Sequence, residues 1–242
     1  MTRMLRPPTA LRVAIAPAAV AVVLAGCAPQ PATAEGAQVK MLYDFFLVVA
    51  AGVFVIVAGL IGWSILRYRD TGDGREPAQT QPNTRLELIW WAIPTLLVII
   101  LFILTAQVLG RVDERTDDPA VTVDVTGFQW QWQFAYSGSD LVLTGLPDEP
   151  PLMVLPVGER VAFNLDSPDV IHSFWVPQFL IKRDVIPGRP NRIELTIEQE
   201  GTYAGLCGEF CGLLHHRMRF SIEAVSAERF QAWLATGGVS AP

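Results

Sequence analysis

Cysteine is scarce in this chain, with three residues in 242, so at most one internal disulfide can form and a disulfide-stapled scaffold is excluded. No Cys-x2-Cys-His occurs, which excludes a covalently attached haem of the c type. The one close pair, Cys207 and Cys211, has three residues between its members, whereas a zinc ribbon usually has two. Internal repeats are absent, and bias toward a few residue types is confined to a short Ala/Pro stretch after residue 27. Positive charge is also in deficit. There are 18 Lys and Arg against 24 Asp and Glu, a net of −6. The deficit lies wholly in residues 111–242, with 18 acidic and 10 basic side chains, while residues 1–110 carry 6 and 8. A domain at −8 repels nucleic acid and attracts a basic protein partner.

Apolar residues are abundant. They make up 51% of the chain, mean hydropathy is +0.34, and the excess sits in three runs before residue 110. The first run follows Arg3, Arg6 and Arg12, extends from Val13 to Leu24, and ends in Leu24-Ala-Gly-Cys27. A basic start, a short apolar stretch and small residues describe a secretory signal over residues 1–26. Cysteine directly after Leu-Ala-Gly resembles the bacterial lipoprotein box, which implies that Cys27 becomes the acylated first residue of the mature chain. Residues 27–40 then read as a tether of small and polar residues. Two further runs, about 41–67 and 86–110, are each long enough to span a bilayer. The loop between them carries Arg67, Arg69, Arg75 and Arg85, which places it in the cytoplasm and both mature termini outside a bacterial cell membrane. Glu87, at the start of the second span among apolar neighbours, has two readings. It is either a helix-start acid favoured by the dipole or a carboxylate on a proton path.

After Asp113–Pro119 the pattern changes to period two. Val121, Val123 and Val125, then 141–143, 160–165, 192–197, 202–205 and 217–222, read as short strands punctuated by Gly and Pro. The expected fold is therefore a two-helix transmembrane hairpin over 41–110 followed by an all-β sandwich over 111–242. A short C-terminal helix follows, capped by Ser226, with Phe230, Trp233 and Leu234 on one face and Gly237 at its end. Phe128, Trp130, Trp132 and Phe134 alternate as one apolar strand face, with Trp132 and Phe134 inward and Trp130 exposed.

Chemistry concentrates in Cys207-Gly-Glu-Phe-Cys211-Gly-Leu-Leu-His215-His-Arg-Met218, with His172 upstream. Soft sulfur and imidazole donors select copper, zinc or an iron–sulfur centre over magnesium or calcium. Met218 has little use in structural zinc, and two His with two Cys leave an iron–sulfur cluster open. Blue copper needs two His, one Cys and a weak Met, so one cysteine here is in excess. The additional thiolate has a use: two thiolates can bridge two copper ions, each capped by one imidazole.

This pattern, Cys207-x-Glu209-x-Cys211-x3-His215-x2-Met218 preceded by His172, resembles the CuA-binding motif of cytochrome c oxidase subunit II. The resemblance covers most of residues 40–235 and implies a cupredoxin-like Greek-key sandwich. By that resemblance Cys207 and Cys211 bridge two coppers, His172 and His215 cap them, and Met218 and the Glu209 carbonyl are weak ligands. The Glu209 carboxylate would face a magnesium shared with subunit I, and His216 has no role. Gly127–Phe134 resembles the family's aromatic segment, in which Trp130 is the entry point for electrons, although Gln131 stands where tyrosine is frequent. Glu87 matches the entrance of a proton path. The segment 182–189 matches one beside the catalytic subunit, and Asp169 would belong to an acidic docking patch. The implied function is electron acceptance from a separate c-type cytochrome and delivery to haem in subunit I, which reduces oxygen to water and pumps protons. A CuA module of another respiratory reductase, or a stand-alone membrane-tethered copper carrier, are the rival readings.

Overall fold

The two long apolar runs form helices. The computed structural model describes residues 30–70, 79, 81–146 and 148–238, and in it α1 is Ala34–Arg67 and α2 is Thr84–Val112. At about 1.5 Å per residue each exceeds the roughly 30 Å hydrocarbon core of a bilayer. The Thr33 hydroxyl caps α1 by accepting from Gly36 N at 3.0 Å, and Asn83 caps α2 through Leu86 N at 3.2 Å. Apart from Glu35, Gly36, Val108 and Val112, neither helix buries a residue, and side chains such as Phe54, Trp91 and Phe102 stand exposed in rows. Apolar surface of that extent is covered by lipid or by other membrane helices. The chain is thus a membrane protein with an extramembrane domain.

Residues beyond 120 build the sandwich. The strands are β1 (Val121–Phe128), β2 (Gln131–Tyr136), β3 (Val142–Thr144), β4 (Leu152–Pro156) and β5 (Arg160–Asp166), then β6 (His172–Val176), β7 (Ile181–Val185), β8 (Asn191–Thr196), β9 (Gly201–Cys207) and β10 (Arg219–Val225). One sheet runs β3-β2-β1-β5-β8 and the other β4-β10-β9-β6-β7, with parallel pairs β1/β5 and β4/β10. The chain crosses between sheets at β3→β4, β4→β5, β5→β6, β7→β8 and β8→β9. Trp132, Phe134, Phe163, Phe174 and Phe220 interlock between the layers, with Phe174 and Phe220 stacked at 4.8 Å. The Tyr136 hydroxyl bridges the sheets, donating to Val154 O and accepting from Val154 N, each at 2.9 Å. Gly205 has no alternative, because a Cβ there would sit 2.2 Å from the Phe220 ring. The tail helix α3 (Ala227–Ala235) forms as expected: Ser226 caps it, and Phe230 and Trp233 are buried.

Three features differ from the sequence reading. The alternating aromatics do not share one strand, because β1 ends at Phe128 and β2 begins at Gln131, so Trp130 lies in the turn between them. Strands β4, β6 and β7 carry no period-two signal: β4 is an apolar run between prolines, and β6 is buried at four of its five positions. The end of the expected tether is part of the fold. Ala32 N donates to Gln178 O and Ala32 O accepts from Glu198 N, both at 2.9 Å, and Thr33 pairs with Ile197. Composition suggested a loose segment because its partners lie more than a hundred residues away. Residues 1–26 and Cys27 fall outside the described residues.

A buried ionic joint connects hairpin and sandwich. Arg160 pairs with Glu35 at the start of α1, lies 3.4 Å from Glu194 Oε2, and donates to Glu114 O at 2.7 Å just beyond α2. Glu194 also accepts from Thr116 N at 2.9 Å and from Arg192 at 2.7 Å, while Thr196 N donates to Glu35 at 2.9 Å. Burial would raise the Glu194 carboxyl, but these donors outweigh it and hold it below the usual carboxylate value. The Ala34 end of α1 and the Val112 end of α2 therefore meet the sandwich, while Arg67 and Thr84 lie at the far end of the hairpin.

Candidate metal centre

The site forms where three turns converge at one end of the sandwich. His172 opens β6, Cys207 closes β9, and the 208–218 segment loops out before re-entering as β10. Phe174 pairs with Cys207 across β6 and β9, and Gly208 N donates to Ser173 O at 2.9 Å, so the ladder holds His172 beside the first cysteine. A one-turn 3-10 helix over His215–Arg217 then returns Met218 to the interior, where Cys207 N donates to Met218 O at 3.0 Å.

The six expected donors come together. The two sulfurs, Cys207 Sγ and Cys211 Sγ, are 3.8 Å apart. His172 Nδ1 lies 3.8 Å from the first, and His215 Nδ1 lies 3.6 Å from the second. Met218 Sδ is 3.8 Å from Cys211 Sγ, and Glu209 O is 3.2 Å from Cys207 Sγ. His172, both cysteines and Met218 are buried, and His215 is half-buried. Both cysteines are free thiols. The ligand atoms of His172, Cys207 and Cys211 lie within 4.8 Å of one another, and His215 falls outside that mutual group. Four ligands of one tetrahedral zinc, with bonds of about 2.0–2.3 Å, would all be mutual neighbours at closer range. His172 thus stands beside one sulfur and His215 beside the other, with the two sulfurs adjacent between them.

Surrounding groups orient these donors. Asp169 Oδ1 lies 3.0 Å from His172 Nε2, which directs the ring's other nitrogen, Nδ1, toward the thiols. Asp169 is thus no free surface acid, since it also accepts from Gln129 N at 2.7 Å and Val170 N at 2.6 Å. Burial would raise its carboxyl, and those donors bring it below the ordinary value. Trp130 and Gln129 act together: Trp130 Nε1 donates to Cys211 O at 3.1 Å and Gln129 Nε2 to the same oxygen at 2.7 Å. Gly212, with φ of +116°, makes room for them, since a Cβ would lie 3.1 Å from Gln129 Nε2. Gln129 was not legible in advance, because a polar residue in a turn carries no sign of what it will touch.

The thiols differ. Burial would raise Cys207, yet hydrogen bonds with His172 and with the backbone of Glu209 and Ser173 bring it down to about 7. Burial and then the negative charge on Cys207 push Cys211 up to about 12. One thiol thus ionises readily and the other keeps its proton until a cation displaces it. Burial would lower His172, but its contacts with Cys207 and Asp169 raise it.

Other expected residues lie apart. Glu87 sits exposed in the first turn of α2, at the hairpin end away from the sandwich. His216 is exposed on the 3-10 turn. The Glu209 carboxylate meets Lys182 Nζ at 2.5 Å.

Hairpin, sandwich and cluster together define a membrane-anchored β-sandwich protein with a thiolate–imidazole ligand cluster. Residues 21–108 match the family described as cytochrome c oxidase subunit II, transmembrane domain, and residues 147–225 match its periplasmic domain. The probable cytochrome c oxidase subunit 2 of Nocardia farcinica is 32% identical, spanning 85% of this chain and 72% of that protein. Its Streptomyces avermitilis counterpart is 35% identical over 85% and 77%, and cytochrome c oxidase subunit 2 of Corynebacterium diphtheriae is 33% identical over 81% and 72%. The solved periplasmic domain of subunit II (CoxB) of Bradyrhizobium japonicum aligns with 30% identity and a TM-score of 0.46, covering 51% of this chain and 96% of that one. This chain belongs to the cytochrome c oxidase subunit 2 family.

Proposed function

We propose that the cluster holds two copper ions as a CuA centre and that the chain is the electron-accepting subunit of its oxidase. The observation that carries this reading is two imidazoles on one thiol pair, with His215 outside the group that could close on a single ion. Held by Cys207, Cys211, His172 and His215, with Met218 and the Glu209 carbonyl beside them, the copper would supply a one-electron relay. The protein's part is to keep that relay rigid: Asp169 fixes the His172 ring, Gln129 and Trp130 fix the Cys211 peptide, and the ladder fixes Cys207. Trp130, half-buried and bonded to a ligand peptide, is suited to pass electrons inward from a c-type cytochrome. Phe210 and Leu213, each 81% exposed, leave an apolar tip on the ligand loop that a partner subunit would cover.

In this reading electrons continue to haem in subunit I, where oxygen is reduced and protons are pumped. Glu87 would serve proton entry at the cytoplasmic end of the hairpin, with the sandwich outside the cell membrane and Cys27 acylated. For magnesium the chain alone offers the Glu209 carboxylate, already paired with an ammonium, so such a site depends on ligands from subunit I. The test is electron paramagnetic resonance with metal analysis on the copper-loaded, detergent-purified chain. Two coppers per chain and the hyperfine pattern of one electron shared by two equivalent nuclei are expected. A single-copper pattern, or bound zinc, would sink the reading.

A further inference from the structure

Lys182 lies on β7, the edge strand beyond β6, and supplies none of the expected ligands. Its side chain nevertheless reaches across β6 to the loop that follows β9. The stem lies over Gly208, where an added Cβ would be 2.8 Å from Lys182 Cδ and 3.4 Å from Ser173 Cβ. The ammonium then meets three oxygens: Glu209 Oε1 at 2.5 Å, Gly208 O at 3.4 Å and Asp184 Oδ1 at 3.8 Å. From below, Gly208 N is held by Ser173 O at 2.9 Å. The Gly208–Glu209 segment is therefore gripped from both sides, and its next carbonyl, Glu209 O, lies 3.2 Å from Cys207 Sγ.

We propose that Lys182 is a positioning residue: by clamping Gly208 and the Glu209 side chain it fixes the Glu209 carbonyl against the Cys207 sulfur and sets the electronic properties of the centre. The proposal rests on the CuA reading for its spectroscopic consequence, but not for the clamp itself. The ion pair is half-exposed, so its worth to overall stability is small. Its effect is directional. A backbone carbonyl has no rotamer of its own, so its direction follows the peptide and side chain that hold it. A weak axial donor is also the kind of ligand whose displacement changes a copper site's spectrum and potential while leaving the strong ligands in place. The ammonium further adds one positive charge near the thiolates, which favours the reduced, more electron-rich state.

Two measurements on the full-length chain in detergent test the clamp. In the metal-free protein, Lys182→Met should raise amide hydrogen exchange across residues 207–212 by about two- to fivefold, the range a surface ion pair can restrain. Lys182→Arg, which keeps the charge, should stay near wild type. In the copper-loaded protein, Lys182→Met should keep the wild-type copper content, show an altered hyperfine pattern and lower the reduction potential, while Glu209→Gln, which breaks the same clamp but removes a negative charge, should alter the hyperfine pattern without lowering the potential. Unchanged exchange in Lys182→Met overturns the clamp whatever metal the chain binds. Faster exchange with an unaltered spectrum and potential overturns the tuning role. A wild-type chain that fails to take two coppers, with exchange still faster in Lys182→Met, refutes the copper reading and leaves the clamp standing.

Discussion

Replacing Arg160 with Met should loosen the joint between the membrane hairpin and the sandwich without unfolding the core. Arg160 is one-quarter exposed, yet its two carboxylate partners are nearly inaccessible, Glu35 at 5% and Glu194 at 0% of side-chain surface. Breaking a buried pair from one side costs about 3–5 kcal/mol because a charge is left without its partner. Here Glu194 keeps Arg192 and Thr116 N, and Glu35 keeps Thr196 N, so the low end, about 3 kcal/mol, is appropriate. At 1.4 kcal/mol per decade that is roughly a hundredfold rise in local opening. Hydrogen exchange resolves it, because Thr116 N and Thr196 N are bonded to these two carboxylates. Peptides spanning 113–118 and 194–198 should exchange about a hundredfold faster, while those over β9 and β10 stay protected. The double change Arg160→Met with Glu35→Gln removes the carboxylate left without a cation, since Glu194 keeps Arg192, and should recover most of the loss. Acid acts in the same direction. The Glu194 carboxyl is held below its ordinary 4.5 in the folded state, so its contribution is complete above that value and disappears as pH falls through the lower folded value. In Arg160→Met the loss should begin at higher pH. Exchange within about threefold of wild type at both peptides would refute the joint as a restraint.

Trp130→Phe should leave copper content and spectrum intact, since Gln129 still bonds Cys211 O, and should slow reduction of the centre by cytochrome c in stopped-flow mixing. A wild-type rate would remove Trp130 from the entry path. Glu87→Gln in the assembled oxidase should slow proton uptake while copper reduction proceeds normally, and an unchanged turnover would leave Glu87 as a helix-start acid only. Tyr136→Phe leaves Val154 N and O without their bridge between the sheets and should cost about 1–3 kcal/mol, read as a lowered midpoint of thermal unfolding. An unchanged midpoint would show that the bridge contributes nothing.

Some of this protein is written in local pattern. The two spans need only length and hydrophobicity, because a bilayer imposes the same requirement on any helix that crosses it. The C-terminal helix was legible from Ser226, its apolar face and Gly237. The donors from Cys207 to Met218 were legible because soft ligands at such density, with few elsewhere in the chain, have few uses apart from metal. Tertiary structure decided how those donors face one another. Cys207 and Cys211 are four residues apart along the chain, but the approach of His172 depends on β6 pairing with β9 across a break of 34 residues. The same holds for Asp169, Gln129 and Lys182, ordinary polar residues whose roles come from contact with the ligand loop. It holds again for Glu35, which composition placed in a tether and the sheet edge drew into the ionic joint. A sequence window reports how a segment meets solvent or lipid. It cannot report which distant backbone will accept a hydrogen bond, because the long-range closure that creates the contact leaves no local trace.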